Sequence, residues 1–259
     1  MIQAIERNLQ ECFRSFHILP GSNVIDNDEV VALQSAIRLN FLNGVALAKF
    51  CEDDAEEKVA KMIERFKSAN TMFRWWLTPS STPSHLGNIL ASHGMERRYE
   101  IPGMAVSLSD INTEITAPPD FTIQRVTDQE TLAIWSRTFA KGFEMAPGDD
   151  DRWAETLHHF GFAQDSPWHA YLGYLGGEPI ATSAMFLGSE AAGIYHVVTL
   201  PHARGKGIGS LITLEPLKEA RASGYKTGVL QSSDMGLRVY ERLGFRSYFK
   251  ADFYLWRPI

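Results

Sequence analysis

The chain has 259 residues, of which 44% are hydrophobic and 22% are charged, with 20 glycines and 12 prolines. These proportions are typical of a folded globular protein, and they exclude collagen-like, coiled-coil and wholly disordered chains. The net charge of −6 leaves no basic surplus with which to bind nucleic acid or an anionic membrane broadly, so we expect neither as a partner.

The two cysteines, Cys12 and Cys51, lie in no spacing that is typical of a disulfide framework or a zinc site. We therefore expect reduced thiols and no metal, which fits a cytoplasmic protein. The first 16 residues carry four charged side chains where a signal peptide needs an apolar run. The longest apolar stretch, 41–50, is interrupted by polar residues and is far shorter than the roughly 20 residues that span a bilayer.

Paired prolines in Ala117-Pro118-Pro119-Asp120 predict a linker, because proline disfavours both helices and paired strands. We therefore expect two domains, 1–116 and 121–259. The apolar periodicity of the first predicts an α/β fold. Its predicted elements are strands at 30–37 and 41–50 joined by a tight turn, a helix at 53–69, a strand at 73–77, a helix at 83–93 and a strand at 104–108.

The second domain is also predicted to be α/β, with a mixed sheet. Its predicted elements are a strand at 121–126, helices at 128–142 and 150–160, strands at 168–175, 180–187 and 194–200, a helix at 207–223, a strand at 227–231, a helix at 235–243, and strands at 245–249 and 253–256.

A glycine-rich segment joins the strand at 194–200 to the next helix and is a candidate anion site. It reads Val197-Val198-Thr199-Leu200-Pro201-His202-Ala203-Arg204-Gly205-Lys206-Gly207-Ile208-Gly209-Ser210. A helix start offers free amides and the positive end of a dipole, and glycines let a phosphate approach those amides. The glycine spacing fits neither the dinucleotide G-x-G-x-x-G nor the mononucleotide P-loop, which argues against an unrelated nucleotide-binding domain.

This segment matches R-x-x-G-x-G through Arg204, Gly207 and Gly209, and so resembles the pyrophosphate loop of the GNAT superfamily of N-acetyltransferases. Downstream, Tyr240 to Phe245 is similar to the family's Y-x-x-x-G-F ending. The order of elements across 194–249 also fits the family, and a less specific resemblance covers 121–259. The resemblance implies a GNAT-like acyl-CoA N-acyltransferase fold with acetyl-CoA as co-substrate.

The resemblance also assigns roles to residues. It implies that the main chain of Val197 and Thr199 binds pantetheine, and amides near Val198 could then contact the thioester carbonyl. Separately, Ser232, Ser233 and Asp234 are expected to cap the next helix, and a hydroxyl there, that of Ser232, to touch the cofactor. The pyrophosphate would lie on the amides of the loop and helix start, namely Gly205, Lys206, Gly207, Ile208, Gly209 and Ser210. Tyr240 matches the family's proton donor, since a phenol is protonated at neutral pH. Its helical spacing also predicts packing, and both roles can hold together.

The general base is left open by the sequence. Family members that use a strand residue place it at positions matching Gly193 or Tyr195, and neither is a carboxylate or a histidine. His196 would point to the other face of the strand, as a packed histidine, unless a bulge turns it. Glu144, a water relay and an amine that arrives deprotonated are the alternatives.

The order of elements across 41–108 echoes that across 194–249, which predicts a degenerate repeat of the same fold in the first domain. In place of the glycine loop it has Cys51-Glu52-Asp53-Asp54, which would repel a pyrophosphate, so we expect this domain to shape the acceptor pocket rather than bind coenzyme A. The predicted activity is acetyl transfer to a primary amine of a small molecule or peptide. A non-catalytic acyl-CoA sensor is the alternative, and the missing base favours it.

Overall fold

The computed structural model describes residues 1–37, 39–146, 148–158 and 166–258, and it has the expected mixed α/β class. The helices of this part of the chain are α1 (Ile2–Ser15), α2 (Ala55–Ser68), α3 (Leu86–Ser92), α4 (Gln129–Gly142), α5 (Asp149–His158), α6 (Ile208–Ala222) and α7 (Asp234–Arg242). The strands are β1 (Asn23–Asp26), β2 (Val30–Gln34), β3 (Gly44–Ala48), β4 (Phe73–Leu77), β5 (Glu96–Ser107), β6 (Phe121–Arg125), β7 (Trp168–Leu175), β8 (Glu178–Leu187), β9 (Ala192–Thr199), β10 (Thr227–Gln231) and β11 (Arg246–Trp256).

The chain divides into two compact units. The larger unit contains Met104–Ser247 together with Gln3–Asn8 from α1, and the smaller unit contains Leu9–Gly103 and the residues from Tyr248 onward. Residues 117–120, the expected linker, connect β5 to β6 inside the larger unit. The boundary between domains 1–116 and 121–259 stays a prediction.

The smaller unit is an α/β layer with the strand order β1-β2-β3-β4-β11. Strands β3 and β4 are parallel, and the other neighbouring pairs are antiparallel. Its core buries Trp75 completely, and Phe66 of α2 stacks on Phe73 of β4 at 4.4 Å between ring centroids. The apolar spacing of α2 predicted this packing, because residues three and four apart share one face of a helix.

The larger unit has the strand order β5-β10-β9-β8-β7-β6. Strands β6 to β9 are antiparallel neighbours, whereas β9 and β10 run parallel. Val198 of β9 lies against Gly142 at the end of α4, and the next residue, Thr199, lies against Gly209 of α6. Because successive strand residues point to opposite faces, α4 and α6 cover opposite faces of this sheet.

Several elements differ from the sequence prediction. Helix α1 and strand β1 were not predicted, and the helix expected at 150–160 begins one residue earlier, at Asp149, while its predicted end lies outside the described residues. The connection between β2 and β3 is no tight turn, since it runs from 35 to 43. Asn43 organises it with its side chain, which accepts from the Ser35 amide and donates to the carbonyls of Ile37 and Leu39.

Strand β5 begins at Glu96 rather than near 104, and β11 is one continuous strand rather than two. The added residues are mostly polar and exposed, so they lack the apolar alternation by which a strand is recognised. Ion pairs between the strands join them instead. Arg97 of β5 pairs with Asp252 of β11, and Glu100 of β5 pairs with Lys250.

Helix α6, which follows the glycine segment, is fixed to the sheet by a hydroxyl group. Pro216 lies inside the helix and has no amide hydrogen for the Ile212 carbonyl one turn earlier. The fully buried Ser183 of β8 supplies the missing donor, with its Oγ at 2.7 Å from that carbonyl oxygen. The proline therefore creates an acceptor that ties α6 to the middle of β8.

The second anchor of α6 is Glu219, whose carboxylate receives bonds from three strand side chains. His169 Nδ1 lies at 2.6 Å, the Tyr171 hydroxyl at 2.7 Å and Arg125 Nη1 at 3.2 Å. Because a carboxylate only accepts, Nδ1 of neutral His169 carries the proton. Its Nε2 is buried and has no partner among the described residues. Burial, and next the Arg125 cation, lower the pKa of His169 below its ordinary value of 6.5, although Glu219 acts in the opposite direction.

Ser183→Ala should lower the free energy of unfolding by about 1–3 kcal/mol, because the Ile212 carbonyl loses its donor in a buried site. In a Pro216→Ala background the helix regains its own amide donor, so the same change should cost less than about 1 kcal/mol. Urea denaturation of the four proteins measures both costs. Equal costs in the two backgrounds would contradict the proposed link between proline and serine.

His169→Asn should make stability less sensitive to acid. The folded protein holds His169 neutral below the pH at which the unfolded chain protonates it, so wild type loses stability as pH falls below about 6.5, by at most about 1.4 kcal/mol per pH unit from this residue. Asparagine keeps an N–H for Glu219 and cannot take up a proton. Denaturation at pH values from 7.5 to 5 should show that the free energy of unfolding falls less in the variant than in wild type as the pH decreases. The same pH dependence in both proteins would refute the assignment.

Candidate functional site

Strands β9 and β10 separate within the larger unit. Their parallel pairing joins Ala192 to Gly228 and Gly193 to Val229. In the described part of the chain the pairing stops there, although β9 continues to Thr199 and β10 to Gln231. The C-terminal half of β9 is paired with β8 on one side and faces a gap on the other. An extended ligand that carries amides can bind main chain in such a gap as an added strand does.

The glycine segment lies at the end of this gap, directly after β9. A short 3-10 turn, Pro201–Ala203, redirects the chain, and Arg204 Nε then donates to the Thr199 carbonyl at 3.0 Å. Gly205 and Gly207 have φ angles of +79° and +76°, a backbone conformation that side chains disfavour. Gly207 is also the N-cap residue of α6, directly before its first residue, Ile208. The glycines are therefore required by the backbone path of the loop.

The loop leaves room for a ligand. A Cβ built at Gly205 would meet no described atom within 4 Å, and at Gly207 the nearest atom is 3.9 Å away. Among the described residues no side chain caps the start of α6. An uncapped helix start beside open space suits a phosphate. Gly209 faces Thr199 and Val239 of α7 at 3.6 and 3.7 Å, which brings β9, α6 and α7 together around this point.

The other predicted loop residues differ in exposure. Arg204 and Lys206 are exposed, whereas Ile208 and Ser210 are buried. The Ser210 amide donates to the Gly207 carbonyl at 3.1 Å, so it is engaged inside the helix. The amides of the loop proper and of the first helical residues are thus the better placed donors for an anion.

Tyr240 is buried in α7 at 8% exposure, in the same core as Leu243 and Phe245. Its ring lies close against Gly236, where an added Cβ would come within 2.8 Å of it. Burial raises the pKa of Tyr240 above its ordinary value, which keeps the phenol protonated. The packing predicted for Tyr240 is therefore present, and its role as a proton donor stays a prediction.

The residues before α7 form its cap. Ser233 accepts from the Gly236 amide through its side chain at 3.2 Å. Ser232 is buried at 1% exposure and donates its hydroxyl hydrogen to the Ser233 carbonyl at 2.8 Å. Its hydroxyl oxygen lies 3.4 Å from the Cβ position built on Gly236, beside the Tyr240 ring.

A β-bulge interrupts β9 at His196. Thr182 of β8 pairs with Val198 and Ala184 pairs with Tyr195, so Ser183 alone faces the two residues between them. His196 has a φ of +53°, rare for a residue other than glycine. From the sequence, the direction of the His196 side chain depended on whether a bulge is present. The bulge is present. Both the Tyr195 and the His196 rings contact Trp168, at 5.7 and 6.1 Å between centroids.

Side chains of neighbouring elements hold the bulge. Thr182 donates its hydroxyl hydrogen to the His196 carbonyl at 2.9 Å, and the indole of Trp135 donates to the Ser183 carbonyl at 3.1 Å. The His196 ring also contacts Phe139 and Trp153 edge-on, at 5.0 and 5.2 Å. The sequence analysis missed Trp135 and Ser183, because nothing in their local pattern distinguishes them from other core residues.

Asn8 of α1 binds the strand just before the bulge. Its side chain donates to the Ala191 carbonyl at 2.8 Å and accepts from the Tyr195 hydroxyl at 2.7 Å. A Cβ on Gly193 would lie 1.9 Å from the Asn8 Oδ1. Glycine is therefore needed at Gly193, and neither this position nor Tyr195 supplies a carboxylate. Glu144, the other candidate base, is exposed in the turn after α4.

In the described residues, no three or more His, Cys, Asp or Glu side chains cluster in a way that could hold a metal ion. No helix in the same ranges combines the length and the apolar character that crossing a membrane requires.

The comparisons with known proteins agree with this geometry. The sequence profile of the Acetyltransferase (GNAT) family matches residues 129–245. A curated relative, the mycothiol acetyltransferase of Thermomonospora curvata, is 28% identical over 169 residues, which are 62% of this chain and 56% of the relative. The chain thus spans little more than half the length of that relative.

Solved structures resemble the chain over most of its length. A GCN5-related N-acetyltransferase from Kribbella flavida has a TM-score of 0.73 at 19% identity, with 95% of each chain covered. A tandem GNAT protein from the clavulanic acid biosynthesis pathway has a TM-score of 0.63 at 12% identity and covers 93% of this chain and 85% of its own. Both likenesses are likenesses of fold, and the predicted degenerate repeat stays a prediction. The profile match, with the loop and tyrosine motifs inside it, identifies residues 129–245 as a domain of the GNAT family of acetyltransferases.

Proposed function

We propose that this protein transfers the acetyl group of acetyl-CoA to a primary amine of a small molecule or peptide. The observation that carries the proposal is the open glycine cradle at Gly205–Gly209, which lies where β9 and β10 have separated. A site that suits a phosphate thus lies next to a strand edge that suits an extended chain with amides. Coenzyme A contains both groups. The family match at 129–245 supports acetyl-CoA as the co-substrate.

The chain offers a separate set of groups to each part of acetyl-CoA. The amides from Gly205 to Gly209 and the dipole of α6 would bind the pyrophosphate, with Lys206 adding positive charge. The main chain of Val197 and Thr199, on the open side of β9, would bind the pantetheine arm. Arg204 holds the loop against the end of β9 through its bond to the Thr199 carbonyl.

The reaction we propose is a direct attack in a ternary complex. The amine nitrogen bonds to the thioester carbonyl carbon, the carbon–sulfur bond then breaks, and the thiolate leaves. Amides of the β9 bulge near Val198 would stabilise the oxyanion. Tyr240 would give its phenolic proton to the departing sulfur, and its protonated, buried state supports this role.

Of the two acceptor classes, a small molecule is favoured over a peptide. The support comes from the curated relative, which is named a mycothiol acetyltransferase and which this chain matches over 56% of its length. A sensor that binds acyl-CoA without turnover is the competing function. It predicts binding with no release of free thiol in the presence of any amine.

Titration calorimetry with acetyl-CoA, ATP and NAD should give selective binding of acetyl-CoA. Gly207→Ala should weaken that binding at least about tenfold, because alanine disfavours the left-handed backbone that aims the loop amides. Gly224→Ala, at another left-handed glycine with open space beyond the end of α6, is the matched control and should leave the affinity unchanged. Equal weak binding of the three ligands would reduce the segment to a packing turn.

Tyr240→Phe should lower thiol release by about 10²–10⁴-fold at saturating acetyl-CoA, while the dissociation constant of acetyl-CoA changes less than threefold. Phenylalanine keeps the packing of the ring and removes only the hydroxyl group that carries the proton. Tyr174→Phe on β7 is the control for loss of a phenol elsewhere in the larger unit and should keep wild-type turnover. Undiminished turnover of Tyr240→Phe would eliminate the proton-donor assignment.

A further inference from the structure

We propose that His196 is the general base of this reaction, the group that takes the proton from the acceptor amine. The inference rests on the proposed function. Family members that use a strand residue as the base place it at the positions of Gly193 and Tyr195. His196 lies at neither position.

The bulge puts the imidazole beside the main chain that would bind the thioester. Val197 packs against the core shared with α6 and α7, whereas the His196 ring contacts Trp135 and Phe139 of α4 on the opposite face. The two residues are consecutive and lie at the point where β9 faces the gap. A thioester along the open side of β9 and an amine that approaches from the α4 face would therefore meet next to this histidine.

The backbone at His196 is costly, and a packing role does not require it. A histidine in a regular strand would alternate with its neighbours at extended angles, but here φ is +53°. Strained residues of this kind persist where the surroundings hold them, and they cluster at functional sites. Here the Thr182 hydroxyl bonds to the carbonyl of His196 itself, and the Trp135 indole bonds to the carbonyl of Ser183, the residue opposite the bulge.

The surroundings also restrict the ring. The described rings within 6.5 Å of its centroid are those of Trp135, Phe139, Trp153, Trp168 and Tyr195. They are uncharged, and Tyr195 is itself fixed by Asn8. The imidazole is half-buried and keeps an exposed part. Among these rings the imidazole is the one whose ring nitrogen can accept a proton.

The proposed step balances as follows. A neutral amine nitrogen forms the new bond to the carbonyl carbon, and its N–H proton moves to the imidazole of His196. Collapse of the tetrahedral intermediate breaks the carbon–sulfur bond, and Tyr240 protonates the sulfur. The imidazolium then returns its proton through solvent to the phenolate. The products are the N-acetyl amine and free coenzyme A.

The test compares three variants. His196→Asn removes the base but tolerates the left-handed backbone, and His196→Gly fits that backbone without strain and leaves a space for added imidazole. His93→Asn, at a half-buried histidine of the smaller unit whose Nε2 pairs with Glu56, is the control for loss of a histidine that the proposal does not use. The probes are acetyl-CoA and a panel of primary amines that includes amino sugars, aminoacyl amides and short peptides, with thiol release as the readout.

We expect His196→Asn to lower kcat/KM for the best amine by about 10²–10³-fold and to change the acetyl-CoA dissociation constant less than threefold. Added imidazole should raise the turnover of His196→Gly at least tenfold. His93→Asn should retain wild-type turnover. Retention of more than a third of wild-type turnover by His196→Asn, or equal loss of turnover and acetyl-CoA affinity, would overturn the assignment.

A second readout does not depend on turnover. Diethyl pyrocarbonate should modify His196 in the free protein, and coenzyme A should slow that modification at least fivefold, as measured by peptide mass spectrometry. An unchanged rate would place His196 away from the cofactor and refute the proposal. If wild type binds acetyl-CoA but turns over no amine in the panel, the proposed function itself fails, and that result is distinct from a failure of His196 alone.

Discussion

The β-bulge in β9 is the constraint on which the site depends. One extra residue opposite Ser183 lets β9 keep its pairing with β8 while it bends away from β10. The same residue takes up a left-handed conformation, so that two consecutive side chains, Tyr195 and His196, reach one face. The gap for an extended ligand and the histidine beside it thus have a single structural origin.

Helix α6 connects this bulge to the glycine loop. Its first turn carries the loop amides, and one turn later its Ile212 carbonyl is bonded to Ser183, the residue opposite the bulge. Glu219 fixes the other end of the helix to β6 and β7. The distance between the anion cradle and the bulge is therefore set by a helix with two anchors to the sheet, and not by the loop alone.

The two units carry opposite charges at the corresponding place, the connection between a strand and the helix that follows it. In the larger unit β9 is followed by a glycine loop with Arg204 and Lys206, and α6 starts without a side-chain cap among the described residues. In the smaller unit β3 is followed by acidic residues, and the first turn of α2 holds Glu56 and Glu57. Carboxylates of the chain itself occupy the positive end of that helix, so the start of α2 does not suit a phosphate as the start of α6 does.

The sequence alone determined the mixed α/β class, most helices and strands, the glycine loop and Tyr240, because periodicity, glycine spacing and short motifs are local properties. It did not reveal α1's attachment through Asn8, the polar halves of β5 and β11, or the direction of His196. Those depend on partners far away in the chain: Asn8 meets Tyr195 across 187 residues, and Trp135 meets Ser183 across 48. A bulge is decided by which register lets both neighbouring strands satisfy their buried backbone groups, and that choice exists only in the folded sheet.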